Sequence, residues 1–156
     1  MQLSTRARYA VMAMVELAGR GAGAEPVTLT EIAARQQLSQ SYLEQLFGAL
    51  RRAGLVDSAR GPGGGYRLAR PACLVAIADI VAAVEESLQA TRCNPQIIGC
   101  LRNAAGGERR CLTHDLWDEL GRQIHLFLAG ISLQDVLDGQ VSGRAVSPPT
   151  RLAGPT

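Results

Sequence analysis

The stretch Arg60-Gly-Pro-Gly-Gly-Gly-Tyr66 limits what this chain can build more than any other. Four glycines around one proline cannot continue a helix, yet they permit positive φ angles and a close approach of backbone N–H groups to another surface. The flanks, 56–60 and 66–70, read as short strands, so the stretch is a hairpin tip. Before it lies a helical pattern in which Leu43, Leu46, Phe47 and Leu50 form one apolar stripe and Gly54 is the stop. The opposite face carries Ser41, Glu44, Gln45, Arg51 and Arg52, with Gln40 and Tyr42 in the exposed first turn. Further upstream, Thr28-Leu-Thr-Glu31 fits a capping box opening a short helix to about residue 36. Leu38-Ser39 is then the turn, with Ser39 as N-cap of the following helix. A helix, a tight turn, a second helix with a polar outer face and a hairpin make a winged helix-turn-helix. The bland alternative for Gly61, Gly63, Gly64 and Gly65 is a merely flexible hairpin. A dinucleotide site is disfavoured, because G-x-G-x-x-G spacing is lacking.

Charge follows the same division. Residues 1–71 hold nine Arg against five acids, whereas 72–156 hold seven against nine. Within 51–70 there are five Arg and one Asp, a concentration expected where a hairpin meets phosphate. Every basic residue other than histidine is Arg, which excludes a phosphate loop with its Lys and Schiff-base chemistry.

Near the N-terminus, Arg6 and Arg8 before an apolar run, then Ala22-Gly23-Ala24, imitate an export leader. Glu16 interrupts that run, and Ala7, Ala10, Val11, Met14 and Ala18 recur at helical spacing, so an amphipathic helix over 4–20 is expected. No segment is long enough to span a membrane, and the expected location is cytoplasmic. There, four cysteines argue for metal or redox chemistry over disulfides. Ile77, Ile80, Val81 and Val84 predict a helix over 74–88, after which 89–110 loses periodicity. Leu112, Leu116, Leu120, Ile124 and Leu128 mark a long helix, and Trp117 and Phe127 widen its stripe beyond what a lone surface helix needs. Such a helix predicts a two-fold homodimer, the alternative being that it packs back on its own domain. A short helical turn at 131–137 and a disordered Gly/Pro/Ser/Thr-rich tail, 139–156, complete the chain. The expected organisation is a DNA-binding region at 1–71, then a loop and dimerisation helix at 72–138, then the tail.

Cys93 and Cys100 enclose six residues, Cys100 and Cys111 ten, and Cys111 and His114 two. The last pair lies about one helical turn apart and can address one metal. Three thiolates and an imidazole suit zinc or an iron–sulfur cluster. No tight Cys-x2–4-Cys knuckle is present, and a long loop bearing Gly99, Gly106 and Gly107 suits a larger inorganic core. Spacing alone leaves cluster, zinc and an unligated redox thiol set open. Cys73 reads as a small buried apolar residue, and His125 as structural or exposed. With two histidines and no nucleophile–base pair, enzymatic catalysis has no support.

Five stretches together resemble the IscR-type regulators of bacterial iron–sulfur cluster assembly: Arg8-Tyr-Ala-Val11, Leu38-Ser-Gln-Ser-Tyr-Leu-Glu-Gln-Leu-Phe47, Arg60-Gly-Pro-Gly-Gly-Gly-Tyr66, Ala90-Thr-Arg-Cys93 and Cys111-Leu-Thr-His-Asp-Leu-Trp117. The resemblance covers residues 1–138. Related nitrite-sensing repressors share three cysteines, but Thr-His after the third points to this branch. The resemblance implies a mostly α homodimer with a two-stranded wing, a cluster-binding loop and a long dimerisation helix. It implies a 2Fe–2S cluster on Cys93, Cys100, Cys111 and His114, delivered by the assembly machinery. It also implies DNA contacts from Ser39, Gln40, Ser41, Tyr42, Glu44, Gln45 and Arg51, from Arg60 in the minor groove, and from Gly61, Gly63, Gly64 and Gly65 at the wing tip. Within this family the cluster-bound dimer represses its assembly operon, and the cluster-free form still binds a second class of double-stranded operators. This chain departs from the pattern in its ten-residue interval after Cys100 and in having Cys73. Rival functions are a zinc-stabilised constitutive DNA-binding protein, a nitric-oxide or redox-sensing repressor of the same family, and an electron carrier or cluster-transfer protein.

Overall fold

The computed structural model describes residues 4–20, 25–85, 101–102, 108–109 and 111–143. Helix α1, Thr5–Arg20, buries Ala7, Ala10, Ala13, Met14, Leu17 and Ala18, so small side chains let its neighbours approach closely. Helix α2, Leu29–Gln36, starts at a complete capping box in which the Thr28 side chain accepts from the Glu31 N–H and the Glu31 carboxylate accepts from the Thr28 N–H. It ends at Gln37, the one non-glycine residue with positive φ (+53°) among those described. That left-handed residue turns the chain sharply into α3, Gln40–Arg52, which Ser39 caps by accepting from the Tyr42 N–H at 3.3 Å.

Strands β1, Val56–Ala59, and β2, Gly65–Leu68, pair antiparallel, with Val56 opposite Leu68 and Ala59 opposite Gly65. The strands are shorter than 56–60 and 66–70, because the turn takes Arg60 at one end and the chain bends away at Ala69 and Arg70 at the other. Val27 adds a third line of pairing: it and Tyr66 exchange two N–H···O bonds of 2.8 Å. The Tyr66 ring also meets Phe47 edge-on, with centroids 4.9 Å apart. The hairpin is thereby fixed to both α2's leading end and α3.

The helix expected over 74–88 is a 3-10 turn, Ala72–Leu74, followed by α4, Ile77–Val84. Between them Val75 is extended and Ala76 bridges to Ser132, so backbone pairing removes these residues from the helix. Residues 86–88 lie outside the described residues. Cys73 is exposed, not buried, because the 3-10 turn runs over the surface. The stretch 89–110 holds a ladder that periodicity cannot show: β3, Leu101–Arg102, pairs antiparallel with β4, Glu108–Arg109. Helix α5 is His114–Ala129 and α6 is Leu133–Leu137, the latter opened by a second capping box, Ser132 with Asp135. Leu112 stands in the turn ahead of α5 and is fully exposed. Of the tail, 144–156 lie outside the described residues, while 139–143 form turns in which Val141 packs against the core.

One hydrophobic core, with Phe47, Met14, Ile32, Leu50, Ile80 and Leu133 at its centre, draws on α1, α2, α3, α4 and α6. The α5–α6 junction is laced to the segment after the wing by Ile77 N–H to Ile131 O and Leu133 N–H to Val75 O, both 2.9 Å.

Candidate functional site

Helix α3 buries Leu43, Leu46, Phe47, Ala49 and Leu50, and this 3.6-residue period leaves the opposite face to solvent. Ser41, Glu44 and Gln45 are all exposed there, as expected from the sequence. Others predicted for this face have partners within the chain. Ser39 is engaged as the cap. Tyr42 is half-buried, its ring edge-on to Tyr9 of α1 with centroids 6.0 Å apart. Arg51 donates to Ser58 Oγ at 3.2 Å, tying the end of α3 to β1. The amide of Gln40 accepts from the Thr30 hydroxyl at 3.2 Å and donates to Glu44 Oε1 at 3.4 Å.

The wing presents Arg60, exposed just after β1, and Arg67, exposed on β2 opposite Asp57. The wing glycines are shape requirements more than hinges. Gly61 and Gly63 have φ of +93° and +74°. A side chain on Gly64 would meet the Ala59 and Gly61 carbonyl oxygens at 2.5 and 2.8 Å, and one on Gly65 would collide with the Val27 carbonyl. The Gly64 N–H closes the tip on Gly61 O at 2.9 Å. The tip is therefore a defined turn closing a hairpin that Arg51–Ser58 and Phe47–Tyr66 contacts join to α3.

A second constellation opens α5. His114 is the first helical residue and only 2% exposed, the one polar residue in the buried set among the described residues. Its N–H donates to the Cys111 carbonyl at 3.0 Å, so one turn of chain carries both side chains. Cys111 is half-buried, with Sγ 3.6 Å from the Thr113 hydroxyl, which in turn accepts from the Trp117 indole N–H at 3.1 Å. Cys93 and Cys100 lie outside the described residues. Leu101, next after Cys100, pairs with Arg109, two before Cys111. A soft sulfur and an imidazole on one turn fit an iron–sulfur or zinc donor set. Thr113 was not foreseen, although a Thr four residues before a Trp at a helix start is a readable signal. Thr30 carries no such sign, since its contact with Gln40 spans the turn between two helices.

A family model described as an iron-dependent transcriptional regulator, Rrf2, matches residues 3–139. The chain belongs to the Rrf2 family. Among its relatives, the HTH-type transcriptional regulator IscR of Xenorhabdus nematophila is 48% identical over 140 residues, covering 90% of this chain and 81% of that one. IscR of an Escherichia coli strain is 46% identical over 148 residues, covering 92% and 87%. Of solved structures, T. potens IscR aligns with a TM-score of 0.70 at 34% identity, covering 95% of this chain and 94% of that one. CymR, the global cysteine regulator of B. subtilis, aligns with a TM-score of 0.70 at 30% identity, covering 89% and 98%. This Rrf2 chain is an IscR-like transcriptional regulator with a mostly helical winged fold, and not an enzyme. Among the described residues no helix is long and apolar enough to cross a membrane.

Proposed function

We propose that this Rrf2 regulator reads operator DNA as a homodimer and that a 2Fe–2S cluster, held by Cys93, Cys100, Cys111 and His114, sets which operators it binds. The observation that carries the reading is the turn placing half-buried Cys111 and buried His114 together at the start of α5. When bound, the cluster supplies an oxygen- and iron-sensitive presence whose gain or loss signals cellular cluster supply. The β3–β4 pairing supports Cys100 as a ligand, because Leu101, next after Cys100 in sequence, pairs with Arg109, two before Cys111. Cluster delivery by assembly machinery and repression of assembly genes belong to the same proposal and rest on the resemblance of the sequence motifs to IscR-type regulators.

The chain's own residues supply the rest. Segment 1–71 presents Ser41, Glu44 and Gln45 to the major groove, with Arg60 and the backbone of Gly61, Gly63, Gly64 and Gly65 along the adjacent groove. Ser39, Tyr42 and Arg51 serve as cap, packing group and wing tie, and reach DNA only at the edges of the contact. Segment 72–138 carries the metal turn and the dimer helix. Within one chain α5 buries only His114 and leaves Leu116, Leu126 and Phe127 at 59, 51 and 42% exposure. Those side chains form the face on which a second copy would close. Movement at the metal turn can reach the wing, because the junction that follows α5 is hydrogen-bonded, through Ile131 and Leu133, to Ile77 and Val75 in the segment after β2.

Anaerobic purification tests the reading. A red-brown protein with two irons and two sulfides per chain is expected. A colourless protein holding one zinc establishes the constitutive zinc form instead.

A further inference from the structure

We infer that Gln40 is not itself a reader of bases but a positioning residue that fixes the carboxylate of Glu44, and that Thr30 holds it in that role. The inference rests on the DNA-reading role proposed for α3. A glutamine in the exposed first turn of a recognition helix would ordinarily be assigned to adenine, through the paired donor and acceptor of its amide. Here both halves of the amide are engaged. Gln40 and Glu44 are one turn apart on the same face, and Nε2 donates to Glu44 Oε1 at 3.4 Å. Oε1 accepts from the Thr30 hydroxyl at 3.2 Å, across the turn from α2.

The orientation of the chain is fixed by chemistry. An ionised carboxylate can only accept, so the amide nitrogen must face Glu44. That leaves Oε1 for Thr30, and Thr30 must then donate. The order Thr30 to Gln40 to Glu44 therefore has a single self-consistent direction. One consequence is that Glu44 enters the groove already tied on one oxygen, with Oε2 left to accept from a base. A tied side chain loses less rotamer freedom on binding than a free one. A second consequence is that the amide N–H offsets some of the carboxylate's repulsion by phosphate. Both effects grow as water leaves the interface, where each hydrogen bond strengthens.

Duplexes selected by the wild-type protein from a random-sequence pool, and their single-base-pair variants, serve as probes. Glu44→Ala first identifies the base pair that Glu44 reads, by the position at which preference relaxes. At that position Thr30→Val and Gln40→Leu should each reduce the wild-type preference by about three- to ten-fold, as expected for one modest hydrogen bond. Thr30→Ser should keep it, and affinity for unselected duplex should stay within about two-fold of wild type in all three, since no phosphate contact is lost. Circular dichroism checks that each variant folds. A Thr30→Val protein with the wild-type preference at every position overturns the inference. So does a Gln40→Leu protein that relaxes an adenine position instead, because Gln40 would then read the base itself. If Glu44→Ala relaxes no position, it is the reading role of Glu44 that fails, and the positioning role falls with it.

Discussion

The N–H of His114 donates to the carbonyl of Cys111 at 3.0 Å, closing one turn of chain just where α5 begins. Two side chains of different chemistry thus sit on one turn, at the start of a helix that leads into the α5–α6 junction hydrogen-bonded to the segment following the wing. Cys111→Ala should abolish visible absorbance while leaving helical circular dichroism intact, because Cys111 is not part of the buried core. His114→Cys should retain a cluster at a lower reduction potential, since a fourth thiolate stabilises ferric iron more than imidazole does. Full iron in Cys111→Ala, or an unchanged potential in His114→Cys, contradicts the ligand assignment.

Much of the DNA-binding half was legible because its signals are local. The capping box at Thr28, the Ser39 cap, the apolar stripe of α3 and the glycine tip each lie within a few residues, and each stands where expected. Non-local features were hidden. The pairing of Val27 with Tyr66 and the bridge from Ala76 to Ser132 join residues far apart in sequence, and the latter moves the start of the helix predicted over 74–88 to Ile77. The β3–β4 ladder has two residues per strand, too few for alternation to register. Which polar residues of α3 remain available could not be read either, since the contacts of Tyr42 with Tyr9 and of Gln40 with Thr30 depend on helix packing.

Arg60 and Arg67 should differ in kind. Arg60 stands at the wing tip, where a guanidinium can enter a narrow minor groove and sense its width. Arg60→Ala should weaken specific binding more than binding to random duplex. Arg67 lies opposite Asp57, and Arg67→Ala should act as the loss of one phosphate contact, lowering the salt slope by about one. Salt titrations on both duplex types check this, and equal effects of the two changes would refute it.

Gly65 is set against the Val27 carbonyl, so Gly65→Ala should distort the wing while α3 keeps its fold. Specific DNA affinity should fall by at least ten-fold with the helical signal unchanged, a loss of about 1.4 kcal/mol. Wild-type affinity in Gly65→Ala would show that the wing is dispensable.

The Thr28 N–H, then the Thr28 hydroxyl, and to a smaller extent Arg20, hold the Glu31 carboxyl below its usual value of 4.5. A carboxyl depressed by folding contributes stability at neutral pH and loses it as pH falls below that value. Glu31→Gln should therefore melt below wild type at pH 7, with the gap closing as the medium is acidified through 4.5 and below. Thermal melts across that range check the sign; a gap that widens with acid is the contrary result.

Glu44 is an acid on a face otherwise suited to a polyanion, and it is exposed. One good contact from a carboxylate to cytosine N4 is worth about 1–3 kcal/mol of discrimination, and the same carboxylate is a penalty where no donor meets it. Cluster-free Glu44→Ala should accordingly bind operators that the wild-type protein reaches only with its cluster, with little change at the second class of sites. An unchanged ratio of the two affinities would leave Glu44 as a residue favouring the helix dipole.

The central claim is that occupancy of the Cys111–His114 turn governs DNA choice. Its most direct test is a pair of anaerobic titrations of one protein preparation, cluster-loaded and then chelator-stripped, against a duplex selected by the loaded form. The account predicts at least ten-fold weaker binding after stripping, with the protein still folded and still bound to a second class of duplex. Equal affinity of the loaded and stripped forms for both duplexes would contradict it.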